Sequence, residues 1–167
     1  EELSKMMVGR PISFEVEKQD IEPGKTVLKV ENVVVPSKLH KNNAVKGISF
    51  EVREGEIVCL AGIEGNGQSE FVYALTGIEK MSSGKITLCG SDISKASIRK
   101  RSLLGISHIP EDRHKYGLVL DFSLAENLVL QRYREKLFQR FGFIRFKEVR
   151  NYARRLIEIY DIRSGQG

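Results

Sequence analysis

The chain has 167 residues, 41% of them hydrophobic and 29% charged, with a formal net charge of +5. That composition is globular and long enough for one domain with a sizeable core, which argues against a disordered or fibrous chain. No apolar run approaches the ~18 residues of a membrane span, no charged-then-apolar leader opens the sequence, and it reads as intracellular.

In chain order, residues 1–10 read as a short helix end, and 17–25, which carry Pro23-Gly24, as a linker. Residues 27–35 (VLKVENVVV) are rich in β-branched side chains and predict a strand. A basic polar loop follows over 36–43. Residues 44–52, with Ile48, Phe50 and Val52 alternating, predict a second strand, and the two suit an antiparallel pair. After the turn Arg53-Glu54-Gly55-Glu56, the run 57–61 (IVCLA) is continuously apolar, the pattern of a strand buried on both faces of a parallel sheet. Cys59 and Cys89 lie in apolar-rich segments and are expected to be buried structural thiols.

A Gly-rich loop then leads into a predicted helix over 68–76, with Gly77 as its C-cap. Strands are predicted at 86–88 and 105–109, with a helix over 93–101 between them. Ser123-Leu124-Ala125-Glu126 has capping-box form and opens a helix to about Arg132. The last predicted helix covers 147–160. Its stripe of Val149, Tyr152, Ala153, Leu156 and Tyr160 reads as core. Residues 131–163 hold ten Lys/Arg against four acids, a net +6. Such an excess suits nucleic acid, anionic headgroups or an acidic protein; a solvated helical face is the plainer alternative.

The informative segment is Gly62-Ile63-Glu64-Gly65-Asn66-Gly67-Gln68-Ser69. It follows an apolar run and opens a helix, as a phosphate-binding loop does. Glycines let N–H groups approach phosphate closely, and the helix start adds unpaired donors and a positive dipole end. Against the pattern G-x-x-x-x-G-K-[ST] (Walker A), Gly62, Gly67 and Ser69 match, but Gln68 stands where Lys is required. A hydrogen bond to a charged group contributes about 1.5–3 kcal/mol against 0.5–1.5 for a neutral one. Losing that charge weakens binding by roughly one order of magnitude, and it weakens transition-state stabilisation further. Ser69 keeps a hydroxyl suited to Mg²⁺. The alternative is a Gly-rich turn with no ligand.

The flanks carry a resemblance. Val45-Lys46-Gly47-Ile48-Ser49-Phe50, Arg53-Glu54-Gly55-Glu56-Ile57, the loop itself and Ser83-Gly84-Lys85-Ile86 are similar to the opening of an ATP-binding cassette (ABC) ATPase. Ile109-Pro110-Glu111-Asp112-Arg113, with Gly117-Leu118-Val119, resembles the second cassette of tandem bacterial importers for simple sugars or nucleosides. In that group the run replaces a glutamine-bearing loop, and Gln68 fits it too. The run 118–127 (LVLDFSLAEN) leans toward the nucleoside branch. The resemblance covers about residues 27–163.

The resemblance implies an α/β, P-loop NTPase-type fold: a parallel core sheet with helices, an N-terminal antiparallel β part, and part of a helical subdomain. Residues 1–25 would be the tail of a preceding cassette and linker. Residues 26–167 would be the N-terminal portion of a second cassette, with its core to about 113 and its helical part over 114–163. It implies ATP and Mg²⁺ as ligands. Gly62, Ile63, Glu64, Gly65, Asn66, Gly67, Gln68, Ser69 and Glu70 would hold nucleotide, and Ser69 and Glu111 the metal. A carboxylate at 111 can bind a metal but donates no hydrogen bond unless protonated. No catalytic residue is assigned, because no L-S-G-G-type signature and no apolar strand ending in Asp-Glu appear, and the chain reads as a fragment with little hydrolysis alone. Its implied partners are the first cassette of the same polypeptide and the transmembrane permease subunits, at the cytoplasmic face of the membrane. The basic segment is expected to face those subunits or anionic headgroups. His40 is expected to be a loop residue rather than an adenine stacker.

Two other readings compete. An active P-loop enzyme could use Lys85 or Arg113 in place of the missing lysine. A nucleic-acid-binding domain could use the basic segment, but it lacks aromatic interleaving and any reading motif, so no nucleic acid is expected.

Overall fold

The computed structural model describes residues 6–7, 9, 22–38 and 42–163. They fall into two compact units, divided between Ser107 and His108. Met6 and Met7 are helical and exposed; the rest of the predicted helix end, most of the linker, and Leu39, His40 and Lys41 lie outside the described residues.

The first unit is built on a four-stranded sheet, antiparallel throughout, in the order β2 (Asn43–Arg53), β1 (Thr26–Pro36), β3 (Ser83–Leu88), β4 (Ser91–Asp92). The predicted antiparallel pair is therefore present, and it is extended by Gly24, whose N–H donates to the Glu54 carbonyl at 2.9 Å. A regular strand would send Val30 and Val33 to opposite faces. Both are buried, at 1% and 0% exposure, because the register shifts between them. Asn32 takes a left-handed φ of 48° there, and its N–H donates to Ser49 Oγ at 2.8 Å. This is a bulge that resets the alternation. β3, Ser83–Leu88, lies on the other side of β1. Gly84 meets the bulge so closely that a Cβ would stand 2.5 Å from the Asn32 carbonyl oxygen.

The helix α1, Gln68–Thr76, starts and stops where the sequence predicts, and the Gly77 N–H closes on the Ala74 carbonyl. Phe71 and Ala74 bury its inner face among Val30, Val33, Val35, Val45, Ile86 and Ile93, and the Phe71 ring meets Phe50 edge-on at 5.6 Å. Burying a side chain of that size contributes about 2–3 kcal/mol. A tight turn through Cys89 (φ 45°) and Gly90 (φ 79°) leads to β4, Ser91–Asp92. The helix predicted over 93–101 forms later, as α2, Ile98–Leu103, capped by Ser97.

Several expectations are corrected. Residues 57–61 form no strand: Ile57 is 89% exposed, and Val58 and Leu60 are also open. An extended segment becomes a strand only when a neighbour supplies hydrogen bonds, and among the described residues none flanks this run. Residues 105–109 form no strand either; the Gly105 and Ile106 N–H groups close onto the Ser102 and Arg101 carbonyls instead. Both cysteines are exposed rather than buried. Cys59 lies on the unpaired run, and Cys89 occupies a turn.

The second unit contains α3 (Arg113–Tyr116), α4 (Leu124–Val129), the hairpin of β5 (Gln139–Arg140) and β6 (Phe143–Ile144), and α5 (Phe146–Ile159). The capping box at Ser123 and Glu126 is formed, although α4 ends three residues before Arg132. Phe138, Val129 and Val149 make a small core with Tyr152 against it. Within the predicted stripe of α5, Val149 and Ala153 are buried and Tyr152 and Leu156 half-buried. Tyr160, at the helix end, is exposed.

Candidate functional site

The loop between the apolar run and α1 is the candidate site. Glu64 and Gly65 form a turn closed by the Asn66 N–H on the Ile63 carbonyl at 3.2 Å. Gly65 (φ 86°) and Gly67 (φ 98°) both take left-handed backbone. At Gly67 no other residue fits, because a Cβ would stand 2.4 Å from the Ala44 carbonyl oxygen. That contact presses the loop onto β2 and fixes where α1 begins. No side chain caps the helix start, and an α-helix leaves its first N–H groups without intrahelical partners. Gly67 is buried, while Gly62, Ile63, Glu64, Gly65, Asn66 and Ser69 are exposed and Gln68 and Glu70 half-buried.

The loop side chain that departs from the phosphate-binding pattern has a defined position. The Gln68 amide Nε2 donates to the Ile63 carbonyl at 3.2 Å. It also lies directly over Gly62, 1.9 Å from where a Cβ would be. A cavity of about 220 Å³ adjoins the loop, lined by Asn66, Gly67 and Gln68 on one side and by Val45, Ile48 and Phe71 on another.

Glu111 belongs to the second unit, where it is exposed on a bend. Its neighbours give the Pro-Glu-Asp-Arg run a structural meaning. Asp112 caps α3, its Oδ1 accepting from the Lys115 N–H at 3.0 Å. Gly117 lets the segment fold back, since a Cβ there would stand 3.1 Å from Pro110 Cγ and 2.9 Å from the Arg113 carbonyl oxygen. Among the described residues no cluster of three His, Cys, Asp or Glu could hold a metal.

Residues 45–158 match the family model described as ABC transporter. The chain belongs to the ABC transporter family. Its relatives include the guanosine import ATP-binding protein NupO of Bacillus subtilis (strain 168), 44% identical over 98% of this chain and 32% of that protein. The nucleoside import ATP-binding protein NupA of Lactococcus lactis subsp. cremoris (strain MG1363) is 42% identical over 98% of this chain and 32% of its own. The chain thus spans about a third of the length of these relatives. A solved ATP-binding cassette of an ABC transporter superposes with a TM-score of 0.60 at 21% identity, covering 81% of this chain and 54% of that one. A second, a dimeric bacterial ABC transporter cassette, does so with 0.60 at 18% identity, over 82% and 58%. The fold is that of an α/β ABC cassette, and the Gly-rich loop joins the apolar run 57–61, which forms no strand, to α1.

Sequence reasoning missed one residue that supports the site from behind. Arg101 is 3% exposed. Its guanidinium donates to the carbonyls of Leu75 (2.7 Å), Ala74 (3.3 Å), Ala96 (3.0 Å) and Ser94 (3.1 Å). It therefore satisfies the C-terminal carbonyls of the helix that begins at the loop. Burial pulls its pKa below the ordinary arginine value. No spacing in the sequence marks it, because its partners are backbone carbonyls.

Proposed function

We propose that the chain is part of the ATP-binding protein of an importer for nucleosides or simple sugars, and that it carries the degenerate second cassette of a tandem pair. In this reading it binds ATP with Mg²⁺, hydrolyses little by itself, and passes closure to permease subunits at the cytoplasmic face of the membrane. Residues 1–25 would then be the tail of a preceding cassette and linker, and 26–167 the second cassette, helical from about 114. The nucleoside branch draws support from the guanosine import protein NupO and the nucleoside import protein NupA, which share 44% and 42% of the aligned residues.

The observation that carries the reading is the loop itself. Its left-handed glycines and uncapped helix start suit an anion, and Gly67 fixes that start against β2. Residues 62–70 would wrap the phosphates. The Gln68 amide would leave the Ile63 carbonyl and donate to a phosphate oxygen instead, offering a neutral hydrogen bond where a lysine would offer charge. The Ser69 hydroxyl would be a hard oxygen ligand for Mg²⁺, which favours few protein ligands beside phosphate and water; in the second unit, the Glu111 carboxylate is by its chemistry a hard oxygen donor of the same kind. When bound, the metal would supply charge neutralisation between phosphate oxygens.

Calorimetric titration of the chain with ATP, with and without Mg²⁺, tests this beside a Gln68→Lys variant. The expected result is binding in both, about tenfold tighter in the variant. No heat of binding in either protein removes the phosphate-loop reading for this chain.

A further inference from the structure

The hairpin of β5 and β6 presents its most apolar residues to solvent. Residues 140 and 143 pair across it, and Phe141 and Gly142 form a two-residue turn with φ of 51° and 86°. Turns of that hand favour Asn, Asp or Gly at the first position, and an aromatic residue there is conformationally costly. Phe141 contributes nothing to the core in return, being 88% exposed. Phe143 is 80% and Phe146 54% exposed. The turn is held firmly: the Gly142 N–H donates to Gln139 Oε1 at 3.1 Å, and Gln139 Nε2 donates to the Arg134 carbonyl. Phe138, fully buried, anchors its base.

Positive charge surrounds these rings. Residues 133–147 hold five Lys/Arg and a single acid, Glu135, which is already paired with Arg132 at 2.7 Å. Arg140 stacks over the Phe141 ring at 5.3 Å, and Arg134 and Lys147 are exposed. Rigidly displayed aromatic rings within a basic ring match a surface that is anionic outside and apolar just beneath. We infer that this hairpin docks on an anionic lipid surface, Phe141 and Phe143 entering the headgroup region and Arg134, Arg140 and Lys147 facing its phosphates. This inference does not depend on nucleotide binding.

The chain has no tryptophan, so Phe141→Trp places a single reporter at the tip. Full chain is mixed with vesicles of phosphatidylglycerol and phosphatidylcholine, or of phosphatidylcholine alone. The expected result is co-sedimentation and a blue-shifted Trp emission with the anionic vesicles only. Arg140→Glu with Lys147→Glu should lower partitioning at least about tenfold. Phe141→Asn should lower it by about tenfold while holding or raising the melting temperature, since Asn accepts left-handed backbone; a purely structural Phe141 would give the opposite pair of results. Equal partitioning to both vesicles, an unshifted emission, or unchanged partitioning of Phe141→Asn overturns the inference. Binding only to vesicles that contain a reconstituted permease also overturns it, and assigns the hairpin to a protein partner.

Discussion

Gly67 joins three demands at one atom: a left-handed φ, a helix start, and van der Waals closeness to the Ala44 carbonyl. Substituting Ala should cost more than about 2 kcal/mol, combining left-handed strain with a backbone clash. Thermal unfolding of Gly67→Ala should show the loss, whereas Gly65→Ala, which has open space around it, should lose only about 1 kcal/mol. Arg101 is the other residue with disproportionate weight. Arg101→Met keeps the stem but removes four hydrogen bonds; the Ala74 carbonyl keeps the Gly77 N–H, and a single lost hydrogen bond to a charged donor costs about 1.5–3 kcal/mol where water does not replace it. We expect a destabilisation of about 3 kcal/mol, read as a lower urea midpoint. An unchanged midpoint would mean that water replaces the guanidinium without cost.

Among the elements, α4 has a start sensitive to acid. Glu126 accepts from the Ser123 hydroxyl at 2.6 Å and from its N–H at 2.9 Å. The hydroxyl contact first, and the backbone contact second, hold its carboxyl below the ordinary carboxylate value. A carboxylate depressed on folding adds stability above its unfolded value and loses it as pH falls through the folded one. Protection of the α4 amides against hydrogen exchange should therefore fall on acidification below about pH 4. In Glu126→Gln that acid-dependent loss should disappear. This box was legible in the sequence because capping chemistry is local, as were α1, Gly77 and the β1–β2 pair. The loop at 62–69 was legible for the same reason. The runs 57–61 and 105–109 were not, because apolar side chains encode a wish for burial but not the strand that would provide it. Residues 98–103 start later than their periodicity suggested, because Ser97 offers a cap that Ile93 does not. The inserted bulge at Asn32 and the buried Arg101 depend on residues far away in sequence, and nothing local announces either.

Across the molecule, most of the net positive charge falls in the second unit, while exposed apolar side chains occur in both. The first unit carries the uncovered run Ile57, Val58, Leu60 and Ile63, and exposed apolar side chains favour association where they adjoin. Ile57→Lys should reduce both hydrophobic-dye binding and self-association in analytical ultracentrifugation. Its melting temperature should stay within about 1 °C of the parent, as expected for a change at an exposed site. A large fall in melting temperature would show that the run is covered in solution. The second unit carries the basic segment and the aromatic hairpin instead, so its association should weaken with added salt while that of the first unit should not.

The two exposed thiols of the first unit have a practical side. Cys59 sits three residues ahead of Gly62, and Cys89 at the turn between β3 and β4. The sequence contains no other cysteine. Maleimide dyes should therefore report loop and sheet-edge motion from natural positions, with no engineered handle. The same accessibility makes a reducing buffer necessary, since either sulfur can join two chains covalently.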